Sequence, residues 1–152
     1  MTEAFLFLPM KSKGLIVNIA IDWAELDLFG HVNNVAFFRY LQNTRVQYCQ
    51  AIGITVLNET GKPGFVVASS KCQFLKPLYF PGQVQVMVKT EWIKNSSFQL
   101  SYQLFNQHNE KVAEAEDVLV LYDYSKGSKM LVPIEIRERI SALDQNTPGV
   151  ID

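Results

Sequence analysis

The chain carries no marked excess of either charge. Its 14 basic and 15 acidic residues leave a formal net charge of −1, and a nucleic-acid-binding domain usually shows a basic footprint, so nucleic acid is not expected as a partner. Cysteine is scarce: Cys49 and Cys72 are the only two. They form no Cys-x-x-Cys, and the two histidines form no His-x-x-x-His, so no metal is expected. Both cysteines read as small apolar core residues of a reducing compartment. No apolar run approaches the roughly 20 residues of a membrane span. The first residues carry an acidic Glu3 and no basic region, unlike a signal peptide. The expectation is a cytoplasmic protein without a membrane partner. There is no glycine-rich phosphate loop, internal repeat or low-complexity segment.

What is present suits one domain over residues 1–152, since 48% of the residues are apolar and a chain of this size can bury about 70% of its unfolded surface. Residues 1–12 read as a loosely held arm. Lys13 to Trp23 is rich in β-branched residues and predicts a strand. Gly64 to Lys76 predicts a second, and Gln83 to Ile93 a third. In the third, Val84, Val86, Val88, Thr90 and Trp92 alternate with Gln83, Gln85, Lys89 and Glu91, the pattern of a half-buried strand. Ser97 to Asn106 and Lys111 to about Asp123 complete an antiparallel meander. Ser125 to Lys129 reads as a polar loop. Pro133 opens a short helix, 133–143, with proline at its first position, and the chain from Asp144 onward reads as frayed.

The stretch from Asp22 to Gly53 is organised differently. A loop crowded with polar groups, among them Glu25, Asp27, His31, Asn33 and Asn34, runs into a long helix from about Asn34 to Ile52. Asn33 or Asn34 can cap that helix and Gly53 can end it. Its start, Val35-Ala36-Phe37-Phe38 followed by Tyr40 and Leu41, is apolar on more than one face, so its first two turns are expected to be wrapped by other structure. One long apolar helix and an antiparallel sheet give an α+β fold, with the curved sheet around the helix. Asp27, a carboxylate just upstream of a helix N-terminus, lies near free N–H donors and a partial positive charge. Such a site can attack and polarise a carbonyl; the plainer reading is a loop carboxylate interacting with the helix end. Glu25 reads as a solvated charge, or as a second carboxylate raising one pKa of the pair. His108, in a turn, reads as a surface residue.

Asp27-x-x-Gly30-His31-Val32-Asn33-Asn34-x-x-Phe37, with the helix and four strands after it, resembles the hot-dog-fold thioesterases. It is most similar to their 4-hydroxybenzoyl-CoA thioesterase branch, which includes bacterial acyl-CoA thioester hydrolases. The order of elements agrees over roughly residues 13 to 124. The resemblance implies a hot-dog fold and acyl-CoA thioester hydrolysis with no cofactor. Asp27 aligns with the catalytic aspartate, acting as nucleophile or as general base on water. Backbone N–H groups near Asn34 would bind the oxyanion. His31 would orient substrate or Asp27, or else satisfy the loop backbone. The plant acyl-carrier-protein thioesterases also resemble this loop, with Asn where Phe29 stands here.

Another hot-dog subgroup places a catalytic Glu on the helix, where this chain has Gln42 and Asn43, which can serve neither as base nor as nucleophile. Phe37 and Phe38 read as core or as acyl-pocket lining. Lys94 and Ser97, at a turn resembling a nucleotide-contacting region of the family, are candidates for the coenzyme A arm, as are Arg45, Lys71 and Lys76. The family pairs protomers edge to edge with active sites at the dimer interface, which implies a homodimer or homotetramer. An acyl-carrier-protein thioesterase, a hot-dog hydratase or a non-catalytic acyl-thioester binder are the alternatives.

Overall fold

Helix α1 (Asn34–Ala51) is the axis of the molecule. In the computed structural model, which describes residues 14–57, 59–145 and 149–151, Asn33 caps it. The Asn33 side chain accepts from the Val35 N–H at 3.0 Å, satisfying one of the donors a helix start leaves free. At the other end Ile54 N–H reaches Cys49 O at 2.9 Å and Gly53 N–H reaches Gln50 O at 3.2 Å. This doubled closure is a Schellman motif, and it needs the φ of +89° that Gly53 adopts.

After α1 come β2 (Gly64–Phe74), β3 (Gln83–Ile93), β4 (Ser97–Asn106), β5 (Lys111–Asp123), the two-residue β6 (Ser128–Lys129) and α2 (Ile134–Gln145). β1 (Leu15–Ala20) precedes the helix, and β7 (Gly149–Ile151) lies near the end of the chain. The sheet runs β2-β5-β4-β3-β1-β7, with β6 a short hairpin return against β5. Every pairing is antiparallel except β1 with β7. Its inner face packs on α1 through Val84, Val86 and Val88 of β3, alternate residues of β4 from Phe98 to Leu104, and Leu119 and Leu121 of β5. Among the described residues no helix is long and apolar enough to cross a membrane.

The ends of β3, β4 and β5 fall where the turn residues put them, but several expectations need correction. The first strand is shorter: it stops at Ala20, and Trp23 belongs to a 3-10 turn with an exposed ring. The buried side of α1 is not its start all round but a stripe along its length, including Phe37, Leu41, Thr44 and Tyr48; Val35 and Phe38 face outward. A stripe at this spacing is what a period of 3.6 residues gives when one side meets a sheet. In β3 a bulge between Thr90 and Trp92 shifts the register, which turns Trp92 to the outer face. There its indole N–H donates to Gln99 at 2.7 Å, Gln99 donates to Glu116 at 3.0 Å, and Glu116 pairs with Lys71 at 2.6 Å.

Gln85 is not solvated either: it is 2% exposed and donates to Asn18 at 2.9 Å. Beside it Ile16, Met87 and Phe105 form a second apolar cluster. Asp144 is not frayed: it lies inside α2 and accepts from Tyr48 Oη and Thr90 N–H, each at 3.0 Å. Gly149–Ile151 pairs with β1. Lys13, Asn58 and the arm expected at residues 1–12 lie outside the described residues.

Candidate active site

Asp22 opens the polar loop. Its carboxylate accepts from Ala24 N–H at 2.8 Å while its own N–H donates to Glu25 Oε1 at 2.8 Å. This reciprocal capping box closes the turn Trp23–Glu25. The chain then folds into a small hairpin in which Leu26 bridges Val32. Asp27 N–H donates to His31 O at 2.8 Å, and Gly30 N–H returns to Asp27 O at 3.1 Å. Gly30 takes a φ of +78° there, a conformation an L side chain resists.

The Asp27 carboxylate organises the tip of this hairpin. Oδ1 accepts from Phe29 N–H at 2.9 Å and from His31 N–H at 3.2 Å. Both bonds fall on one oxygen, and Oδ2 takes no partner among the described residues. The His31 ring does not bond Asp27; it packs edge-on against Tyr79, with centroids 5.2 Å apart. His31 thus serves the loop through its main chain, while its ring faces another segment.

The hairpin leads directly into the α1 tip. Val35 N–H is taken by the Asn33 side chain and Ala36 N–H by Asn33 O. Asn34 N–H, at the first helical position, keeps no partner among the described residues. A free carboxylate oxygen and a free helix-terminal donor therefore belong to one continuous segment, 27–34.

Phe37 and Phe38 follow on the first turns. Phe37 is buried and Phe38 is 38% exposed. Both rings meet Phe74 at the end of edge strand β2, with centroids 5.1 Å and 6.4 Å away. Phe38 and Phe74 thus form a partly open aromatic edge beside the helix tip.

Lys94 and Ser97 are not brought to this end of the protomer. They close the β3–β4 hairpin, where Lys94 N–H donates to Ser97 O at 2.7 Å and the Lys94 ammonium lies 4.6 Å from the Trp92 ring centre. The loop is tied to the opposite end of β3, where Ile21 N–H reaches Gly82 O at 3.0 Å. β3 has 11 residues, so its two ends stand about 33 Å apart along the strand. Of the other cations proposed for coenzyme A, Arg45 is committed to a buried ion pair with Asp117, Lys71 pairs with Glu116 and Lys76 with Glu110. A trough of about 510 Å³ opens on the sheet away from the loop, with Lys71, Lys89, Glu91, Glu114 and Glu116 among its lining.

Glu25 is neither a solvated charge nor a partner for the Asp27 carboxylate. It is 9% exposed and accepts the Tyr40 hydroxyl at 2.9 Å. Burial, reinforced by Glu25, pushes the Tyr40 phenol far above its usual range. The signal for this was legible in Asp22-x-x-Glu25, the spacing of a capping box; its tie to Tyr40 was not. Both cysteines are free, Cys49 buried and Cys72 half-buried. Burial raises the Cys49 thiol to about 12 and the Cys72 thiol to about 11, so neither is poised as a nucleophile.

A model of the thioesterase-like superfamily matches residues 21–140. The Bacillus subtilis protein YsmA is 27% identical over 122 residues, covering 80% of this chain and 82% of its own. The 1,4-dihydroxy-2-naphthoyl-CoA hydrolase of Thermosynechococcus vestitus is 26% identical over 98 residues, covering 63% of this chain and 67% of its own. A thioesterase from Thermus thermophilus, solved with coenzyme A and zinc, superimposes with a TM-score of 0.79 at 31% identity, over 90% of this chain and 98% of that one. The chain belongs to the thioesterase-like superfamily and is a thioester hydrolase of the hot-dog fold.

Proposed function

We propose that the chain hydrolyses acyl-CoA thioesters at segment 27–34. The observation that carries this is the division of labour at Asp27: Oδ1 is held by two loop amides, leaving Oδ2 to act. Two routes use that oxygen. In one it attacks the thioester carbonyl, the thiolate leaves, and water cleaves the resulting mixed anhydride. In the other it takes a proton from the water that attacks. In both, Asn34 N–H faces the developing oxyanion, aided by the helix dipole. The acyl group runs along Phe38 and Phe74, which favours an aliphatic or aromatic chain. His31 orients the loop. A coenzyme A thioester is also the substrate named for the Thermosynechococcus relative.

A homodimer completes this reading. β2 is an edge strand with Val66, Val67 and Phe74 exposed, and such an edge invites pairing. Antiparallel pairing of two copies about the middle of β2 sets Phe74 of one against the Gly64–Val66 end of the other. That end is in register with Val120 and, through it, with Ser97. The partner subunit's Lys94 and the partner subunit's Ser97 would then approach the loop end, where coenzyme A phosphates need a cation. Such dimers can pair again into a tetramer. A cytoplasmic location fits two unpaired cysteines.

The test is thiol release from a panel of acyl-CoAs, with the matching acyl carrier proteins alongside. Turnover of acyl-CoA, lost in Asp27→Asn with the fold retained, supports the reading. Faster turnover of the acyl-carrier-protein forms, or binding without thiol release, replaces it with the corresponding alternative. A fully active Asp27→Asn removes Asp27 from the site. Label recovered on Asp27 after single-turnover hydrolysis in ¹⁸O-water identifies the anhydride route with water attacking the Asp27 carboxyl carbon, and trapping of an acyl-Asp27 adduct identifies it where water attacks the acyl carbon.

A further inference from the structure

We propose that Glu25 and Tyr40 form a strut that positions Asp27 against the tip of α1, making Glu25 a positioning residue of the hydrolase. This rests on the assignment of Asp27 above. Three contacts converge on Glu25. Its side-chain Oε1 accepts the Tyr40 hydroxyl at 2.9 Å, from the second turn of α1. The same oxygen accepts Asp22 N–H at 2.8 Å, from the start of the loop. Its backbone oxygen accepts Asn33 N–H at 2.8 Å, from the residue that caps α1. One buried residue thus ties together the entry of the loop, its exit and the body of the helix.

Asp27 stands two residues beyond this post, on a hairpin otherwise tied to the fold at Val32, whose N–H donates to Leu78 O at 2.9 Å, and where His31 meets Tyr79. The remaining charge near Glu25 is weakly coupled. Arg39 lies 3.9 Å from Oε2 and is mostly exposed, so the hydroxyl and the two amides hold Glu25 in place.

A strut of this kind acts through geometry. Displacing a reacting group by about 1 Å can cost on the order of a hundredfold in rate while leaving binding in place. Glutamine at position 25 keeps the accepting oxygen and loses only the charge. Phenylalanine at position 40 keeps the ring and loses only the donor. The two substitutions therefore separate a positioning role from a chemical one.

The experiment measures kcat and KM on the best acyl-CoA, together with amide hydrogen exchange of residues 27–33, in the folded full-length protein. For Tyr40→Phe the expected result is a fall in kcat of about tenfold or more, with KM changed by less than about threefold. Exchange at Asp27, Val32 and Asn33 should accelerate in that variant. Glu25→Gln should keep kcat within about threefold of the parent, and Tyr40→Phe added to Glu25→Ala should cost nothing further. Parental kcat in Tyr40→Phe overturns the proposal, as does unchanged exchange. Glu25→Gln as inactive as Asp27→Asn also overturns it, because the carboxylate charge would then belong to the chemistry. Should the parent protein release no thiol from any acyl-CoA, the functional reading falls, while the exchange measurement still decides the strut.

Discussion

Arg45 Nη1 lies 2.7 Å from Asp117 Oδ2 in the core, and the Tyr102 hydroxyl donates to the same oxygen at 2.6 Å. Asp117 is fully buried, and its Oδ1 and the Nε of Arg45 have no partner among the described residues. The pair joins the middle of α1 to the middle of β5 on the inner face of the sheet, so helix and strand are locked together by a charge contact inside an apolar layer. Burial beside the Asp117 charge also drives the Tyr102 phenol well above its normal range.

Removing one member of this pair should therefore cost more than removing an exposed one. Arg45→Met leaves Asp117 buried without its cation and is expected to lower stability by about 3–5 kcal/mol in urea unfolding. Lys76→Ala, which breaks an exposed surface pair with Glu110, is expected to leave the urea midpoint nearly unchanged. Equal losses in the two variants would contradict the burial argument.

Asp144 supplies the pH dependence. Desolvation raises its carboxyl above the ordinary value, although Thr90 N–H and the Tyr48 hydroxyl oppose the shift. The folded state thus holds the Asp144 proton more tightly than the unfolded chain. Its contribution is fully present below the unfolded pKa of about 3.8 and declines as pH rises through the folded value. Asp144→Asn cannot lose a proton. Its amide can donate to Tyr48 while the Tyr48 hydroxyl turns to Thr90 Oγ1, 2.7 Å away. The variant should gain stability relative to the parent between pH 3 and neutrality, then run parallel to it. A flat difference in unfolding free energy across that range would contradict this.

The edge strand gives a prediction about assembly. Val67→Lys places a cation on exposed β2, where it opposes pairing with a second copy. Light scattering should show the protomer mass, and thiol release should fall in step with loss of the dimer. A dimer that survives with full activity would move the interface elsewhere.

The sequence was most legible where local chemistry acts alone. Turn residues bracket β3, β4 and β5, and their observed limits match the expectation residue for residue. Asn33 and Gly53 mark the ends of α1 for the same reason. What could not be read depends on distant segments. The burial of Gln85 needs Asn18 from β1, and the anchoring of Asp144 needs Tyr48 and Thr90 from two other elements. At the site, the order Asp27, His31, Asn34 could be read along the chain, but the tie from Glu25 to Tyr40 spans 15 residues. Lys94 and Ser97 lie at the far end of β3 from Asp27, a separation that only the register of the sheet reveals.

The extra residue in β3 has a consequence for anyone reshaping this sheet. Counting by twos from Val84 works as far as Thr90 and then inverts, so that Ile93 rests on the core and the Trp92 indole joins the polar relay on the opposite side. Removing Glu91 would take out only the unpaired residue and leave Trp92 opposite Gln99 and Ile93 opposite Phe98, whereas flattening the bulge with Glu91 kept in the ladder would send a bulky indole inward and an aliphatic group into water.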